Sequence, residues 1–190
     1  MNIAHLDPPA MTAEEFFDFT ASRPAGEKWE LIEGEPVLSP SANDVHQRII
    51  ANLVGVLRSL RLDHSANWIA IPGIGVEISP STIPIPDVLV RPAALLDDWK
   101  CDDMIVAFEI LSPSSADRDL RWKRKAYARL ASLEHYVVAA QDAFKIIVYD
   151  RQTGFAERCI EGKTAHLELP ALGIVLPFAE IYRDTGLDRK

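Results

Sequence analysis

The chain has 190 residues, of which 48% are apolar and 25% charged, and its formal net charge is −8. That length buries a core without staples, the composition is that of a globular protein rather than a disordered one, and the acidic balance weighs against a simple nucleic-acid-binding module. No apolar run approaches the ~20 residues that span a bilayer, so no membrane partner is expected. Cys101 and Cys159 fit no paired-ligand spacing, and the N-terminus has no basic region followed by an apolar stretch; the expected location is cytoplasmic.

In chain order, the expectation is one domain over 1–190, with residues 1–11 a flexible N-terminal extension. "TAEE" at 12–15 matches a capping box and opens a short helix. "WELIEGEPVLS" alternates and turns at Glu33-Gly34, which predicts a β-hairpin. "NDVHQRIIANLVGVLRSL" places Val45, Ile49, Leu53, Val56 and Leu60 at a helical period. "WIAIPGIGVEIS" and "DVLVR" read as strands divided by prolines, and "AALLDDW" as a short helix. A strand over 104–111 follows, then a helix from "SSADRDLRWKRKAYARLA", with serines available for its N-cap. "EHYVVAA", "FKIIVYD" and "FAERCI" are further strands, and "LELPALGIVLPFAEIY" reads as a loop, one strand and a terminal helical turn. Strands and helices interleave, so the fold class is α/β (α+β), a mixed sheet flanked by helices.

One residue in this scheme is out of place. Glu109 stands inside the apolar strand "MIVAFEIL", and a carboxylate in an apolar interior is costly unless paired or bound to a metal. Strand alternation sets Phe108 and Ile110 on one face, Glu109 and Leu111 on the other. Glu109 lies near the carboxyl end of its strand, where open α/β sheets collect ligand sites. Asp87, in "PIPDVLVR", opens another apolar strand. Two carboxylates on neighbouring strands can repel, raise a pKa or share a cation, and one or two carboxylates with retained waters suit Mg²⁺.

The helix after Glu109 adds cations. From Arg118 to Arg129 there are six basic residues and one acid, a local +5 that leaves the remainder of the chain at −13. At 100° per residue, Ala116, Leu120, Tyr127 and Leu130 form one face, and Arg118, Arg121, Lys125 and Arg129 the opposite, solvent-facing one. Lys123 falls within the apolar face, with Asp119 and Tyr127 one turn before and after it. It is either a salt-bridged lysine at the core's edge or an ammonium placed beside the two carboxylates. His46 lies on the apolar face of its own helix, either as a hydrogen-bonded core residue or as a proton-transfer group. No phosphate-binding loop or nucleophile elbow is present.

"PD" at 86–87, a glutamate in a hydrophobic strand some twenty residues later and a lysine beyond resemble the PD-(D/E)XK nuclease superfamily. More closely, the chain resembles the bacterial Uma-two family of restriction-endonuclease-like proteins. The resemblance is carried by "WELIEGE" at 29–35, "LSP" at 38–40, His46, "IPDVLV" at 85–90, "FEILSPSS" at 108–115, Asp119, Lys123 and Tyr127 at four-residue spacing, "EHYVV" at 134–138, and "LPALGIVL". It covers roughly residues 12 to 182 and departs from many relatives at "EHY" and at Ala140.

The resemblance implies a restriction-endonuclease-like mixed sheet, Mg²⁺ dependence with Mn²⁺ as substitute, and hydrolysis of nucleic-acid phosphodiesters, DNA foremost. Asp87 and Glu109 would hold the metal. The superfamily's usual lysine position, two residues after the second acid, is Leu111, and Lys123 takes that part from the following helix. Glu30 and His46 complete the expected catalytic set, and Arg118, Arg121, Arg124 and Lys125 are the expected backbone contacts. A homodimer would present two sites to a duplex. The competing expectations are a catalytically silent protein that binds nucleic acid or a protein partner, and a structural protein in which Glu109, Lys123 and Asp119 form a buried ionic cluster.

Overall fold

The computed structural model describes residues 10–112 and 116–187. The expected flexible extension falls mostly on residues 1–9, outside those described. Met11 donates its N–H to the Gly34 carbonyl at 3.0 Å. Helix α1 (Ala13–Ala21) begins at the predicted capping box, with Thr12 accepting from the Glu15 N–H and Glu15 accepting from the Thr12 N–H. The predicted hairpin is β1 (Lys28–Ile32) and β2 (Glu35–Ser39). Its two turn residues, Glu33 and Gly34, both have positive φ, the conformation a two-residue hairpin turn requires. At Gly34 a Cβ would also stand 2.3 Å from that of Ala10, so only glycine fits there.

Helix α2 (Asp44–Asp63) is capped by Asn43, which accepts the His46 N–H at 2.9 Å, and it buries Ile49, Leu53 and Leu57. The strands β3 (Trp68–Pro72), β4 (Gly75–Val76), β5 (Val88–Pro92), β6 (Lys100–Cys101) and β7 (Val106–Leu111) follow. Residues 93–99, expected as a short helix, are irregular. Leu95 is fully exposed, and Trp99 instead turns in against Phe16 and Phe17. One turn of helix returns too few hydrogen bonds to repay its nucleation.

The next helical stretch differs from expectation in its winding. Residues Arg118–Lys123 form a π-helix, which passes into α3 (Arg124–Tyr127). The serines expected to cap it, Ser114 and Ser115, lie outside the described residues. Then come β8 (His135–Ala140), β9 (Lys145–Asp150), β10 (Glu157–Glu161), β11 (His166–Leu169), β12 (Ile174–Pro177) and α4 (Phe178–Ile181). The C-terminal segment therefore holds two strands, not one. Pro170 and the left-handed Gly173 turn β11 back onto β12.

The central sheet runs β10-β9-β8-β7-β5-β3. It is mixed: β7 and β8 pair in parallel, and the other neighbours are antiparallel. Val106, Phe108 and Ile110 of β7 pack on the side of α2 and the C-terminal hairpin. Ala107 faces the opposite side, with Tyr127, Leu130 and Tyr136. Each fully buried large apolar side chain contributes about 1.5–3 kcal/mol. Glu109 shares the second face and is buried within it.

Candidate active-site cleft

The antiparallel pairing of β5 with β7 explains why Asp87 and Glu109 meet. Val88 lies opposite Phe108 and Val90 opposite Val106. Carried one step further, that register sets Asp87 across from Glu109 on the same sheet face. The Asp87 carboxylate is fixed there by the Ile110 N–H, which donates to its Oδ2 at 2.9 Å. Both residues border a cleft of about 900 Å³, along with Lys28, His46, Arg118 and Lys123.

Behind Glu109 lies a dense ionic cluster. Lys123, only 2% exposed, places its Nζ 2.8 Å from Glu109 Oε1, 2.9 Å from Glu30 Oε1 and 3.8 Å from Asp119 Oδ1. The Tyr127 hydroxyl donates to the same Glu109 oxygen at 3.0 Å. Glu30 is fully buried; it also accepts from the Ile85 N–H at 2.8 Å and the Ser39 hydroxyl at 3.0 Å. Arg118 approaches its Oε2 at 3.5 Å.

The π-helix corrects the expected orientation of Arg118. At an α-helical winding, residues five apart point about 140° away from each other. A π-helix closes its hydrogen bonds over i to i+5, so Arg118 comes round to the side of Lys123. Arg118 thus turns inward to Glu30 and Ser39 instead of toward solvent. Trp122, on the same segment, donates to Glu33 at 3.1 Å and ties it to the β1–β2 turn.

The electrostatics divide the carboxylates. Burial opposes ionisation of Glu30, but Lys123, the Ile85 N–H and Arg118 outweigh it and bring its pKa down to about 2. Burial likewise works against Asp87, yet the hydrogen bond from His46, the Lys28 charge and the Ile110 N–H hold it well below the usual carboxylate range. Glu109 goes the other way. Burial pushes it up to about 8 against the pull of Lys123, and the charges of Asp87 and Asp119 add to the rise. Lys123 is raised as well, because Glu109, Glu30 and Asp119 overcome the cost of burying its charge.

Among the described residues the hydrogen bonds to Glu109 fall on Oε1, and the residue borders the cleft. Among the described residues no group of three or more His, Cys, Asp or Glu side chains is arranged to hold a metal ion. Asp87 and Glu109 bring two carboxylates to the cleft, oxygen donors that suit a hard, partly hydrated divalent cation such as Mg²⁺ better than a nitrogen- and sulfur-bound metal. On the Asp87 side an ammonium and an imidazole already approach. Lys28 Nζ is 3.0 Å from Oδ1 and His46 Nε2 is 3.2 Å from Oδ2.

Five sequence-derived candidates, Glu30, His46, Asp87, Glu109 and Lys123, thus converge from β1, α2, the residue before β5, β7 and the π-helix. Of the four expected backbone contacts only Arg118 reaches the cleft. Arg121 is exposed and pairs with Asp117, Lys125 is exposed, and Arg124 lies over the Tyr149 ring at 5.0 Å. Lys28 was not singled out from the sequence. The available signal was its place two residues before Glu30, which on a strand puts both side chains on one face.

A family model described as Uma2, "Putative restriction endonuclease", matches residues 13–179. Among solved structures, a "putative nuclease belonging to DUF820" from Anabaena variabilis superposes with a TM-score of 0.75 at 16% identity, over 90% of this chain and 97% of that one. At that identity the likeness shows a shared fold. No curated protein matches the chain. Among the described residues, no helix is long and apolar enough to cross a membrane.

Proposed function

Because the chain belongs to the Uma2 family of restriction-endonuclease-like proteins, we propose that it is a metal-dependent endonuclease acting on nucleic-acid phosphodiesters, DNA foremost, in the Asp87–Glu109 cleft. The observation that carries this reading is the carboxylate pair of Asp87 and Glu109, brought face to face by the β5–β7 register and both bordering the cleft, with Glu109 held through Oε1 by Lys123 and Tyr127. Asp87 and Glu109 are the residues that would bind Mg²⁺, or Mn²⁺ in its place. Such an ion, when bound, acidifies a water and stabilises charge on phosphoryl oxygens.

The remaining residues serve that pair. Lys123 and Tyr127 orient Glu109, and Glu30 supplies the counter-charge that keeps Lys123 protonated in the interior. His46, with Nε2 against Asp87, is placed to hold or move a proton at the cleft wall. Arg118 offers a guanidinium at the cleft, and Arg121, Arg124 and Lys125 extend a basic track beyond it for backbone phosphates. A homodimer with two such clefts would cut both strands of a duplex.

A catalytically silent binder is the second reading. It is favoured by the Lys28 ammonium and the His46 ring, which already occupy Asp87 from within the chain. Supercoiled plasmid and single-stranded DNA incubated with Mg²⁺ or Mn²⁺ decide between the two. Metal-dependent cleavage that vanishes in Asp87→Ala and Glu109→Gln is expected. Cleavage that survives Asp87→Ala removes this site from the reaction, and DNA binding without cleavage puts the silent reading ahead.

A further inference from the structure

The cleft contains two lysines in very different situations. Lys123 is 2% exposed, and its ammonium is held within 3 Å by Glu30 and Glu109 with Asp119 close behind. An ammonium has three donors, so little of Lys123 remains to meet a substrate. Lys28 is the opposite case. Its side chain is 35% exposed and borders the cleft, and among the described residues its one close ionic partner is Asp87, at 3.0 Å from Oδ1. It opens β1, whose Glu30, two residues on, is fully buried and anchors the strand on the same face.

We propose that Lys28 is the lysine that meets the substrate phosphate, and that without a divalent cation its ammonium takes the cation's place on Asp87. This inference rests on the phosphodiesterase reading above and assigns Lys123 the role of a positioning residue. A cation arriving at Asp87 competes with the Lys28 ammonium for the same oxygen. Once displaced, that ammonium sits on a long flexible stem at the mouth of a cleft where a phosphodiester brings negative charge. In diester hydrolysis a water oxygen bonds to phosphorus, and the P–O bond to the departing alcohol breaks. The departing alcohol takes up the proton that the attacking water gives up, and the negative charge of the transition state gathers on the non-bridging oxygens, where Lys28 offsets it. Metal and phosphate thereby favour each other's binding, because each relieves Lys28 or Asp87 of its resident partner.

The test uses the full chain and two probes. Mn²⁺ alone is titrated calorimetrically into wild type, Lys28→Ala and Lys28→Arg, and bis(p-nitrophenyl) phosphate is then hydrolysed in saturating Mn²⁺. Lys28→Ala is expected to bind Mn²⁺ several-fold more tightly than wild type while its kcat falls about a hundredfold. Lys28→Arg is expected to keep the wild-type Mn²⁺ affinity and part of the kcat. Lys28→Gln replaces Lys28→Ala should the latter melt early. Mn²⁺ affinity unchanged in Lys28→Ala overturns the displacement, and an unchanged kcat overturns the phosphate contact. If wild type binds Mn²⁺ but hydrolyses nothing, the parent reading fails together with the phosphate contact, and the Mn²⁺ titration still decides the displacement.

Discussion

Arg118 and Lys123 hold opposite oxygens of one buried carboxylate, that of Glu30, from positions five residues apart in the chain. An α-helix cannot present such a pair on one side; the π-helix over 118–123 does. Two cations on one fully buried acid leave Glu30 ionised and Lys123 fixed, and Lys123 in turn fixes Glu109.

Lys123→Ala is expected to lower stability by about 3–5 kcal/mol, because it leaves Glu109 in the interior without its ammonium and Glu30 with Arg118 alone. The loss appears as a lower urea midpoint at an unchanged slope. The double variant Lys123→Ala/Glu30→Gln should lose less than the sum of the two single changes, because they share one interaction. An additive result would show that the cluster does not hold together as described.

The metal-free protein should lose stability as pH rises from about 4.5 to about 8. The folded state holds the Glu109 proton more tightly than the unfolded chain, whose carboxyl titrates near 4.5. Below that value both states keep the proton and the contribution is complete; above it the unfolded chain releases the proton first, and the contribution is gone once pH passes about 8. Glu30, lowered to about 2, has the opposite sign, and its contribution is lost as pH falls from 4.5 toward 2. Urea denaturation in EDTA at pH 6 and 8.5 should differ by up to a few kcal/mol, and Glu109→Gln should flatten that difference.

Mg²⁺ should raise the melting temperature of wild type and EDTA should reverse the gain. At a concentration a hundred times the dissociation constant, a ligand specific to the folded state adds about 2.7 kcal/mol. Asp87→Ala and Glu109→Gln should each abolish the response. A gain that persists in both variants would place the ion elsewhere.

Arg121→Ala and Lys125→Ala should weaken oligonucleotide binding without altering metal affinity, since both side chains are exposed and lie away from the cleft. If each contacts one phosphate, fluorescence anisotropy across a salt series should show the logarithmic slope falling by about 1 per variant. An unchanged slope would take the basic track out of the interface.

Much of this arrangement was legible in the chain. The capping box, the hairpin turn at Glu33-Gly34, the α2 period and the apolar strand around Glu109 are local patterns, and each folds as its spacing dictates. The meeting of Asp87 with Glu109 was visible only as two acids at strand ends; the antiparallel register that sets them face to face is a long-range fact. Two features escaped for the same reason. A fixed 100° rotation turns Arg118 to solvent because it ignores a π-helix, whose extra residue per turn is stabilised by Glu30, Glu33 and Ser39 on the distant hairpin. Lys28 was passed over because a lysine at a strand's first residue is ordinarily a solvated end, and only Asp87, 59 residues later, makes it otherwise. The 93–99 segment and β11 show the converse, where weak local preference yielded to Trp99 packing and to pairing with β12.

The polar side chains of the cleft come from β1, β2, α2, the residue before β5, β7, the π-helix and α3, segments scattered from Lys28 to Tyr127. No stretch of the chain carries a working fraction of the site, and closing contacts over such separations is the slow part of folding. The cleft as described exists only in the finished molecule. A chain still emerging from synthesis, or one partly unfolded, has the residues but not their juxtaposition.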